Sequence, residues 1–374
     1  MSESKFLLIS PNAAEAGALE TLPPTPGLRI MKNDEVINEN LRFSPDDLIC
    51  ITSEASIELV KNRMDDPVKK NALAVLKDKF RFREILTGIY PDYQFRKLSL
   101  SDIESLSVNS KVILKPSKGC FGTAVKTIYP DSDMELVIKE IKQELLTNGS
   151  VLSSEVLSDN EFILEEYIEG EEYAVDMFYD GQGRPHVVNI YHHPMPENEA
   201  YLHMIYYSSK AVFDRIYDKA MVFFEALNSV LNVKNFPMHS EFRYHQDSLQ
   251  PIEINSMRFG GMGLGNMSYY SMGLNPYESF KRGQSPDWDD VWKSNNQDDV
   301  IYAFFIAYNG TQVDTNKEKP NIEKLKREFT EVLHEEHFDY QSQLAFGIFC
   351  LKESSTNLRR LLSIDFNEYF EPIS

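Results

Sequence analysis

The stretch Met238–Asn255, MHSEFRYHQDSLQPIEIN, constrains the fold most strongly because its side chains alternate on both sides of one turn. Its centre, Gln246–Ser248, has residues that favour turns, so the stretch predicts a β-hairpin centred on Asp247. Since side chains alternate with a period of two, one face is largely apolar and the other gathers two carboxylates, an amide and an imidazole. The predicted cross-strand pairs are Glu241 with Glu253, His239 with Asn255, Phe242 with Ile252, and Ser240 with Ile254.

The opposed carboxylates of Glu241 and Glu253 require compensation, since like charges directly opposite each other destabilise a sheet. One candidate is a divalent cation, because Mg²⁺ typically takes one or two carboxylates together with substrate phosphates. The alternative is a solvated face on which Arg243 neutralises Glu241. The hairpin alone leaves both interpretations open.

Length and charge narrow the class of protein. The chain has 374 residues, which predicts two or three domains or lobes. Its formal charge is -20, from 58 acidic and 38 basic residues. This excess of negative charge disfavours nucleic acid and anionic lipid as partners, but it still allows a local basic pocket for phosphates.

Cysteine usage and hydropathy predict a compartment. The three cysteines, Cys50, Cys120 and Cys350, are far apart and form no CxxC motif, which favours a reducing, cytoplasmic setting. The N-terminal MSESKFLLIS lacks a signal-peptide pattern, and the apolar run Val300–Tyr308 is too short to span a bilayer. We therefore expect a cytoplasmic protein without a membrane partner.

The order of elements predicts a small α/β lobe at the N-terminus. Strands at Lys5–Ser10 and Leu48–Thr52 alternate with a helix that begins at Ser53 or Glu54. Apolar spacing then predicts one helix over Asn71–Thr87. The other predicted elements are a strand–turn–strand unit over Lys111–Tyr129, a helix over Asp133–Leu146, strands over Phe162–Tyr179 and Val187–Tyr191, a helix over Arg215–Leu231, and a helical block at Ile322–His334.

A glycine-bearing loop follows a strand in Lys111–Val125, KVILKPSKGCFGTAV. Glycines let backbone N–H groups approach a phosphate, and lysines supply point charges. The candidate residues are Lys115, Ser117, Lys118, Gly119 and Gly122. The loop is neither a Walker A loop nor a GxGxxG motif, and a plain surface hairpin is the alternative.

The segment Phe162–Met177, FILEEYIEGEEYAVDM, places an acidic turn between two apolar strands. Adenine recognition needs backbone N–H and C=O groups on a linker, and ribose recognition needs a carboxylate for its hydroxyls. The residues in position to supply these groups are Glu165, Tyr167, Ile168 and Glu172. The alternative is an ordinary acidic turn, which is common in a chain this negative.

The segments between Lys79 and Gly261 resemble, in their order, the ATP-grasp superfamily and more narrowly its carboxylate–amine ligases. LKDKFRFREIL resembles the family helix that sends a lysine to the nucleotide phosphates, which implies this role for Lys79. VILKPSKGCFG is similar to the family strand and glycine-rich flap. It implies that Lys115 serves the phosphates and the adenine side and that Ser117–Gly122 forms the flap.

The resemblance also assigns roles at the hinge and at the hairpin. It implies Glu165 for the adenine amino group, the Tyr167 and Ile168 backbones for the border of the base, and Glu172 for the ribose. Glu241 and the motif Glu253-x-Asn255 resemble the family's metal triad. The resemblance therefore implies two Mg²⁺ ions, with Mn²⁺ as the alternative, that bridge the ATP phosphates and share Glu253.

Arg258 departs from the family pattern. Several relatives place an arginine two residues after the asparagine, whereas here it follows three residues after Asn255. Its role is open between binding a substrate carboxylate and binding the transferred phosphate. Gly260 and Gly261 could expose N–H groups to either.

The resemblance implies a fold and its boundaries. The expected class is α/β (α+β), an ATP-grasp fold in which a small N-terminal α/β lobe precedes two α+β lobes that clasp ATP. The expected N-terminal lobe is 1–72, the ATP-grasp domain is 73–289, with lobes at about 110–170 and 171–289, and 290–374 forms a mixed C-terminal subdomain.

The activity implied by the resemblance is ADP-forming ligation. A carboxylate is activated as an acylphosphate and joined to an amine, with amino acids or peptides as the substrate class and a homodimer left open. A small-molecule kinase that stops at phosphoryl transfer is one alternative, and a catalytically inactive ATP-binding regulatory protein is another. The inactive alternative is disfavoured because a site without catalysis would not need to retain the candidate phosphate and metal residues. These residues are Lys79, Lys115, Glu241, Glu253 and Asn255.

Overall fold

The computed structural model describes residues 4–12, 21–119, 122–149, 158, 160–295 and 299–373. Its strands are β1 (Phe6–Ser10), β2 (Leu28–Lys32), β3 (Leu48–Ile51), β4 (Phe95–Ser99), β5 (Val112–Pro116), β6 (Lys126–Ile128), β7 (Glu161–Glu166), β8 (Glu171–Tyr179), β9 (Pro185–His193), β10 (Ile205–Ser208), β11 (Phe236–His245), β12 (Ser248–Ser256), β13 (Val300–Tyr308), β14 (Glu318–Pro320), β15 (Glu331–His337), β16 (Ala345–Ser354) and β17 (Phe370–Pro372). Its α-helices span Asn33–Asn38, Ile57–Arg63, Pro67–Lys77, Lys79–Leu86, Leu100–Ile103, Met134–Gly149, Lys210–Leu231, Met267–Met272, Pro276–Arg282, Trp288–Ser294, Ile322–Lys326 and Leu358–Leu362. Short 3₁₀ helices span Glu54–Ser56, Glu199–Tyr201, Gly261–Asn266, Ser355–Asn357 and Phe366–Tyr369.

Among the helices of the described ranges, none combines the length and the apolar character that a membrane-spanning segment needs.

The first sheet is parallel and has the strand order β2-β1-β3. All five residues of the central strand β1 are buried, as expected for a parallel strand covered on both faces. After β3, the Ser53 side chain accepts a hydrogen bond from the Ala55 N–H (3.3 Å) and starts the 3₁₀ turn that contains Glu54. The predicted α/β character is confirmed, and Glu54 lies at the carboxyl end of this sheet.

Two helices replace the single helix expected over Asn71–Thr87, because Asp78 interrupts it. Asp78 has an extended backbone, with φ -92° and ψ 106°. Its side chain accepts hydrogen bonds from the N–H groups of Phe80 (3.0 Å) and Arg81 (3.1 Å), which a helix start leaves without intrahelical partners. Lys79 thereby becomes the first residue of the second helix.

A four-stranded antiparallel sheet of order β4-β7-β5-β6 carries the glycine-bearing loop between β5 and β6. Helix Met134–Gly149 covers this sheet, and its Ile141 and Leu145 are buried in one cluster with Leu114 and Phe162. The predicted strand–turn–strand unit is confirmed. The loop is therefore anchored on a packed lobe.

The largest sheet has eight strands in the order β12-β11-β8-β9-β10-β13-β16-β15. Helix Lys210–Leu231 covers one of its faces, where Phe223 and Phe224 contact the Phe242 ring with centroid distances of 5.1 and 5.9 Å. Because side chains alternate along β11, Glu241 lies on the opposite face. This face is the one that carries the candidate site.

Strands that follow residue 290 continue the large sheet. β13 pairs with β10 and β16, and β15 pairs with β16. The helical block expected at Ile322–His334 is wrong, since the helix ends at Lys326 and the following segment forms β15. Pairing with β16 supplies backbone hydrogen bonds and apolar neighbours, which override a weak local preference for helix.

The hairpin of β11 and β12 has a tighter turn than expected. Gln246 and Asp247 have positive φ angles of 47° and 66°, as in the two-residue turns that match the twist of paired strands. Phe242 consequently pairs with Pro251 instead of Ile252, and the register shifts there through a β-bulge. The predicted pairs that are confirmed are Glu241 with Glu253, His239 with Asn255, and Ser240 with Ile254.

Candidate active site

Glu241 and Glu253 face each other across β11 and β12. The Asn255 amide donates a hydrogen bond to Glu241 Oε1 (3.4 Å). Burial and the charges of Glu253 and Glu172 raise the pKa of Glu241 well above its usual range. Burial also opposes ionisation of Glu253, but the charge of Lys79 lowers the pKa of Glu253 to about 2. Glu253 is therefore ionised, whereas the ionised form of Glu241 is disfavoured in the protein alone.

Lys79 is the cation that faces this acid pair. Its Nζ lies 2.9 Å from Glu253 Oε2 and donates to the Gly119 carbonyl at 3.2 Å. Its backbone N–H donates to the Ser117 carbonyl at 2.7 Å. The first residue of one helix thus joins the hairpin to the base of the glycine-bearing loop.

The glycine-bearing loop has a defined base. The Lys118 N–H donates to Ser158 Oγ (3.2 Å), and the Lys118 carbonyl accepts from the Ser158 N–H (3.0 Å). Gly122 has a backbone φ of +67°, an angle that residues other than glycine rarely adopt. Cys120, expected in the flap, lies outside the described residues.

Arg83 is a buried residue that the sequence analysis did not identify. Its Nε lies 2.8 Å from Glu165 Oε2. Its Nη1 and Nη2 donate to the carbonyls of Pro251 (2.6 Å) and Ile252 (3.3 Å) at the bulge of the hairpin. The available signal was spacing, since Arg83 follows four residues after Lys79 and lies on the same face of the helix.

Glu165 has a cation on each carboxylate oxygen. Lys115 Nζ lies 2.5 Å from Oε1, and Arg83 contacts Oε2. Burial acts to raise the pKa of Glu165, but these two charges lower it to about 2. Burial also lowers the pKa of Lys115. The assignment of Glu165 to the adenine amino group stays a prediction, and the structure adds that Glu165 orders two cations.

Residues 167–170 connect β7 to β8 at the expected hinge. Gly170 has a φ of +112°, and a Cβ at this position would overlap the Tyr244 carbonyl, so glycine is required. Lys111 Nζ lies 3.2 Å from the centroid of the Tyr167 ring. Ile168 lines a small, mainly apolar cavity. The other residues of its wall are Arg83, Leu86, Tyr90, Tyr93, Phe95, Gln250 and Pro251.

Glu172 is fixed by two partners. His193 Nδ1 lies 2.7 Å from Oε1, and Arg243 Nη2 lies 2.8 Å from Oε2. Burial acts to raise the pKa of Glu172, but the hydrogen bond to His193 and the charges of His193 and Arg243 lower it. The carboxylate is therefore held ionised in one orientation, as a ligand for hydroxyl groups requires.

Asp176 is a second residue that the sequence analysis missed. It is fully buried and accepts hydrogen bonds from the Gly260 N–H, His239 Nδ1 and the Tyr191 hydroxyl, each at 2.8 Å. His239 Nε2 lies 3.8 Å from Glu241 Oε1. A single carboxylate in the apolar stretch AVDM was the available signal, because buried charges need partners.

Arg258 lies on a turn that needs both following glycines. Met257 has a φ of 63°, which turns the chain directly before Arg258. A Cβ on Gly260 would lie 2.8 Å from Leu264 Cγ, and a Cβ on Gly261 would lie 3.1 Å from Arg258 Nη1. Gly260 therefore leaves space for the Leu264 side chain, and Gly261 leaves space for the Arg258 guanidinium.

Glu54 of the first lobe reaches this turn. Glu54 Oε1 lies 4.0 Å from Arg258 Nη2, and Glu54 also forms an ion pair with Lys77. Lys77 Nζ in turn donates to the Gly119 carbonyl at 3.3 Å. Arg258 Nε is buried without a hydrogen-bond partner among the described residues, so the guanidinium retains capacity for a ligand.

The donor set of the hairpin fits a hard divalent cation. Glu241, Glu253 and Asn255 offer carboxylate and amide oxygens, the ligands that Mg²⁺ prefers, and a cation would favour the ionised form of Glu241. Across the described ranges, no group of three or more His, Cys, Asp and Glu side chains is arranged to hold a metal. A cation held here would therefore need the Asn255 amide and further ligands, such as phosphate oxygens, to complete its ligand set.

Comparisons with known proteins address the fold. Residues 108–266 match the family model of the ATP-grasp domain. The structure is similar to that of the L-amino acid ligase from Bacillus licheniformis, with a TM-score of 0.63, 16% identity, and coverage of 100% of this chain and 99% of that chain. It is also similar to the N5-carboxyaminoimidazole ribonucleotide synthetase from Thermotoga maritima, with a TM-score of 0.58, 12% identity and full coverage of both chains.

A third similar structure was determined with bound nucleotide. It is the biotin carboxylase domain dimer of the Hydrogenobacter thermophilus 2-oxoglutarate carboxylase, in complex with MgADP, ADP and bicarbonate. Its TM-score is 0.61 at 10% identity, with coverage of 99% of this chain and 91% of that chain. No curated protein sequence matches the chain. At these identities the similarities establish the fold alone.

Proposed function

Since the chain has the ATP-grasp fold and carries an ATP-grasp domain over residues 108–266, we propose that it is an ATP- and Mg²⁺-dependent ligase that joins a carboxylate to an amine. One observation carries the proposal: an opposed acid pair, two buried lysines and an arginine with an unsatisfied N–H lie close enough together to influence one another electrostatically. These residues are Glu241 and Glu253, Lys79 and Lys115, and Arg258. Such a set can bring two anionic substrates together.

ATP would bind as a substrate between the glycine-bearing loop and the hinge. Its phosphates would take over the contacts that Lys79 makes with Glu253 and Gly119. The groups proposed for the phosphates are Lys79, Lys115, Ser117, Lys118, Gly119 and Gly122. The groups proposed for adenine are Glu165, Tyr167 and Ile168, and the group proposed for ribose is Glu172.

Glu241, Glu253 and the Asn255 amide oxygen would hold Mg²⁺, with Mn²⁺ as the alternative. We propose two ions, with Glu253 shared between them. When bound, the metal neutralises phosphate charge. The supporting observation is the raised pKa of Glu241, because the protein alone does not stabilise the ionised carboxylate and a bound cation would do so.

The first step would form an acylphosphate. A substrate carboxylate oxygen attacks the γ-phosphorus of ATP, the bond from this phosphorus to the ADP oxygen breaks, and ADP departs. Lys79 and Lys115 reduce the repulsion between the two anions, and their burial strengthens this effect because the local dielectric constant is low. Positioning of the reactants supplies much of the remaining rate increase.

The second step would form the amide. The amine attacks the carbonyl carbon of the acylphosphate, and phosphate leaves with the electron pair of the C–O bond. Arg258 would stabilise the oxyanion of this step. The Gly260 N–H already donates to Asp176, so the Gly261 N–H is the better placed of the two glycine amides for the oxyanion.

We propose amino acids or peptides as the substrate class. The similarity to a protein named as an L-amino acid ligase supports this choice. We further propose a cytoplasmic enzyme that acts on small molecules. A homodimer is part of the proposal, because the similar biotin carboxylase domain is a dimer.

To test the proposal, the protein is incubated with ATP, Mg²⁺ and pools of the standard amino acids, and the amounts of ADP and free phosphate that form are measured. Amine-dependent release of both products supports the ligase, whereas ADP without free phosphate would indicate a kinase. Glu253→Gln should abolish turnover. Glu225→Gln, an exposed acid on helix Lys210–Leu231, is the control and should retain it. Full turnover by Glu253→Gln would contradict the metal assignment.

A further inference from the structure

Three aromatic side chains stack beside the candidate site. The His193 ring is parallel to the Tyr206 ring, with a centroid distance of 4.1 Å and an interplanar angle of 8°. It also stacks with the His203 ring at 5.4 Å. His203 Nδ1 lies 3.0 Å from the Tyr206 hydroxyl. His203 and Tyr206 form a hydrogen-bonded pair of nearly coplanar rings that rests on His193, hereafter the His203–Tyr206 pair.

Strand register places this pair on the same face of the large sheet as the acid pair. Glu241 pairs with Ala174, and Glu172, two residues earlier on β8, points to the same face. Glu172 pairs in turn with His193 on β9. Since the His193 ring contacts Tyr206, the stack and the acid pair lie on the same face of the sheet.

The electrostatic environment of Tyr206 agrees with this placement. Burial and the charges of Glu241 and Glu172 raise the pKa of Tyr206, and Arg258 acts against this rise. All three charged groups belong to the candidate active site. Tyr206 therefore stays protonated and neutral at physiological pH, as a hydrogen-bond partner for an imidazole.

His203 is both packed and accessible. Burial and the charge of His193 lower the pKa of His203, although Glu172 and Glu253 act to raise it. Its side chain nonetheless retains exposure to solvent. One part of the ring is packed in the stack while another is open to solvent, which accounts for both observations. The imidazole is therefore largely neutral at physiological pH and able to accept a proton.

We propose that His203 is the catalytic base that removes a proton from the ammonium group of the amine substrate, and that Tyr206 is its positioning residue. This inference rests on the proposed ligase function and deepens it. In the active tautomer, His203 Nδ1–H donates to the Tyr206 hydroxyl, which leaves the lone pair of Nε2 for the substrate. A base is required because an α-amino group is largely protonated at neutral pH and a protonated amine cannot attack.

The proton balance of the step is complete. His203 Nε2 takes one proton from the substrate ammonium, and the freed lone pair forms the C–N bond with the acylphosphate carbonyl carbon. The C–O bond to phosphate then breaks, and phosphate takes the second nitrogen proton and leaves as hydrogen phosphate. The imidazolium returns its proton to solvent. The products are the amide, hydrogen phosphate and one released proton.

Hydroxylamine separates proton removal from the rest of the reaction, since it is a nucleophile that is uncharged at neutral pH. The full-length protein is supplied with ATP, Mg²⁺ and the standard amino acids as carboxylates, and hydroxamate formation is compared with amino-acid-dependent phosphate release. His203→Gln should lose roughly 100-fold in the amino-acid reaction, as general base catalysis typically contributes. It should form hydroxamate at the wild-type rate, which also shows that the variant is folded.

His192→Gln is the matched control. His192 Nδ1 also contacts a phenol, the Tyr207 hydroxyl at 2.7 Å, but His192 lies on the other face of β9. This variant should retain both reactions. Equal loss of both reactions in His203→Gln would indicate a structural role and overturn the proposal, as would an amino-acid reaction that His203→Gln leaves intact.

The pH profile gives a readout that a structural role would not change. Amino-acid-dependent turnover of the wild type should fall as the pH drops through the pKa of His203, because imidazolium cannot accept a proton. The charged and titratable groups that influence His203 are His193, Glu172 and Glu253, with Tyr206 at its Nδ1 and Tyr308 at its backbone. His203→Gln should lack this acidic limb, and Tyr206→Phe should keep it at a lower rate. An unchanged limb in His203→Gln overturns the proposal.

The two proposals fail in different ways. If the wild type forms no hydroxamate with any carboxylate, the ligase function is wrong and the role of His203 is wrong with it. If hydroxamate forms in the wild type and His203→Gln shows normal amino-acid turnover and a normal pH profile, the ligase function stands and only the base assignment is wrong.

Discussion

Arg83 Nε lies 2.8 Å from Glu165 Oε2, and each side chain is only 3% exposed. The same guanidinium donates to the Pro251 and Ile252 carbonyls at the bulge of the hairpin. Arg83 therefore connects its own helix, Lys79–Leu86, to strand β7 before the hinge and to strand β12, which carries Glu253. Arginine suits this position because its planar group offers several donors in a fixed geometry.

Arg83→Met should lower the free energy of unfolding by about 3–5 kcal/mol, since it leaves part of a buried ion pair and two carbonyls without partners. Urea denaturation measures the change. Lys97→Met is the control, because Lys97 forms an exposed ion pair with Glu161 at 2.6 Å and should cost less than about 1 kcal/mol. Equal effects of the two substitutions would argue against a structural role for Arg83.

Glu165 should contribute a measurable pH dependence of stability. Its pKa is lowered to about 2 in the folded protein, below the value of about 4.3 in an unfolded chain. The stabilisation is therefore present above the unfolded pKa and is lost as the pH falls toward 2. Glu165→Gln should be less stable at neutral pH and should lose less stability on acidification. A slope identical to that of the wild type would show that Glu165 is not the responsible group.

Asp78 and Asp66 allow a matched test of the helix break. Each caps a helix start with two hydrogen bonds from backbone N–H groups, so Asp66→Ala and Asp78→Ala should each cost about 1 kcal/mol. Only Asp78 sets the position of Lys79. We therefore expect calorimetry to show weaker ATP binding for Asp78→Ala alone, and weakening in both variants would contradict a specific role of the break.

Glu241→Gln should stabilise the metal-free protein and remove Mg²⁺-dependent binding of ADP. The raised pKa of Glu241 means that the wild type loses stability as the pH rises above the unfolded pKa through the folded one, and glutamine removes this loss. Thermal unfolding with and without MgADP measures both effects. A thermal shift by MgADP as large as that of the wild type would contradict the metal assignment.

Gly261→Ala should raise KM for the substrate that contacts Arg258, because the added Cβ would lie 3.1 Å from Nη1 and displace the guanidinium. Gly88→Ala is the control, since nothing lies within 4 Å of a Cβ there. Steady-state kinetics and thermal unfolding of both variants separate an effect on binding from an effect on stability. An unchanged KM in Gly261→Ala would indicate that Arg258 does not bind substrate.

The sequence by itself determined the local features of this protein. Alternating side chains predicted that Glu241 faces Glu253 and that His239 faces Asn255, because strand periodicity depends only on neighbouring residues. The strand–turn–strand unit with its glycines was predictable for the same reason. The resemblance of these segments, in their order, to the ATP-grasp superfamily predicted the fold, which is confirmed, whereas the domain boundaries and the roles of the site residues stay predictions.

Only the tertiary structure decided which distant groups share the site. The acceptors of Arg83 at Pro251 and Ile252 lie 168 and 169 residues further along the chain. The partners of Asp176 and the approach of Glu54 to Arg258 likewise depend on how separate sheets and helices pack. No local pattern encodes these contacts, because a buried polar group takes whatever partner the packed fold brings within hydrogen-bond distance.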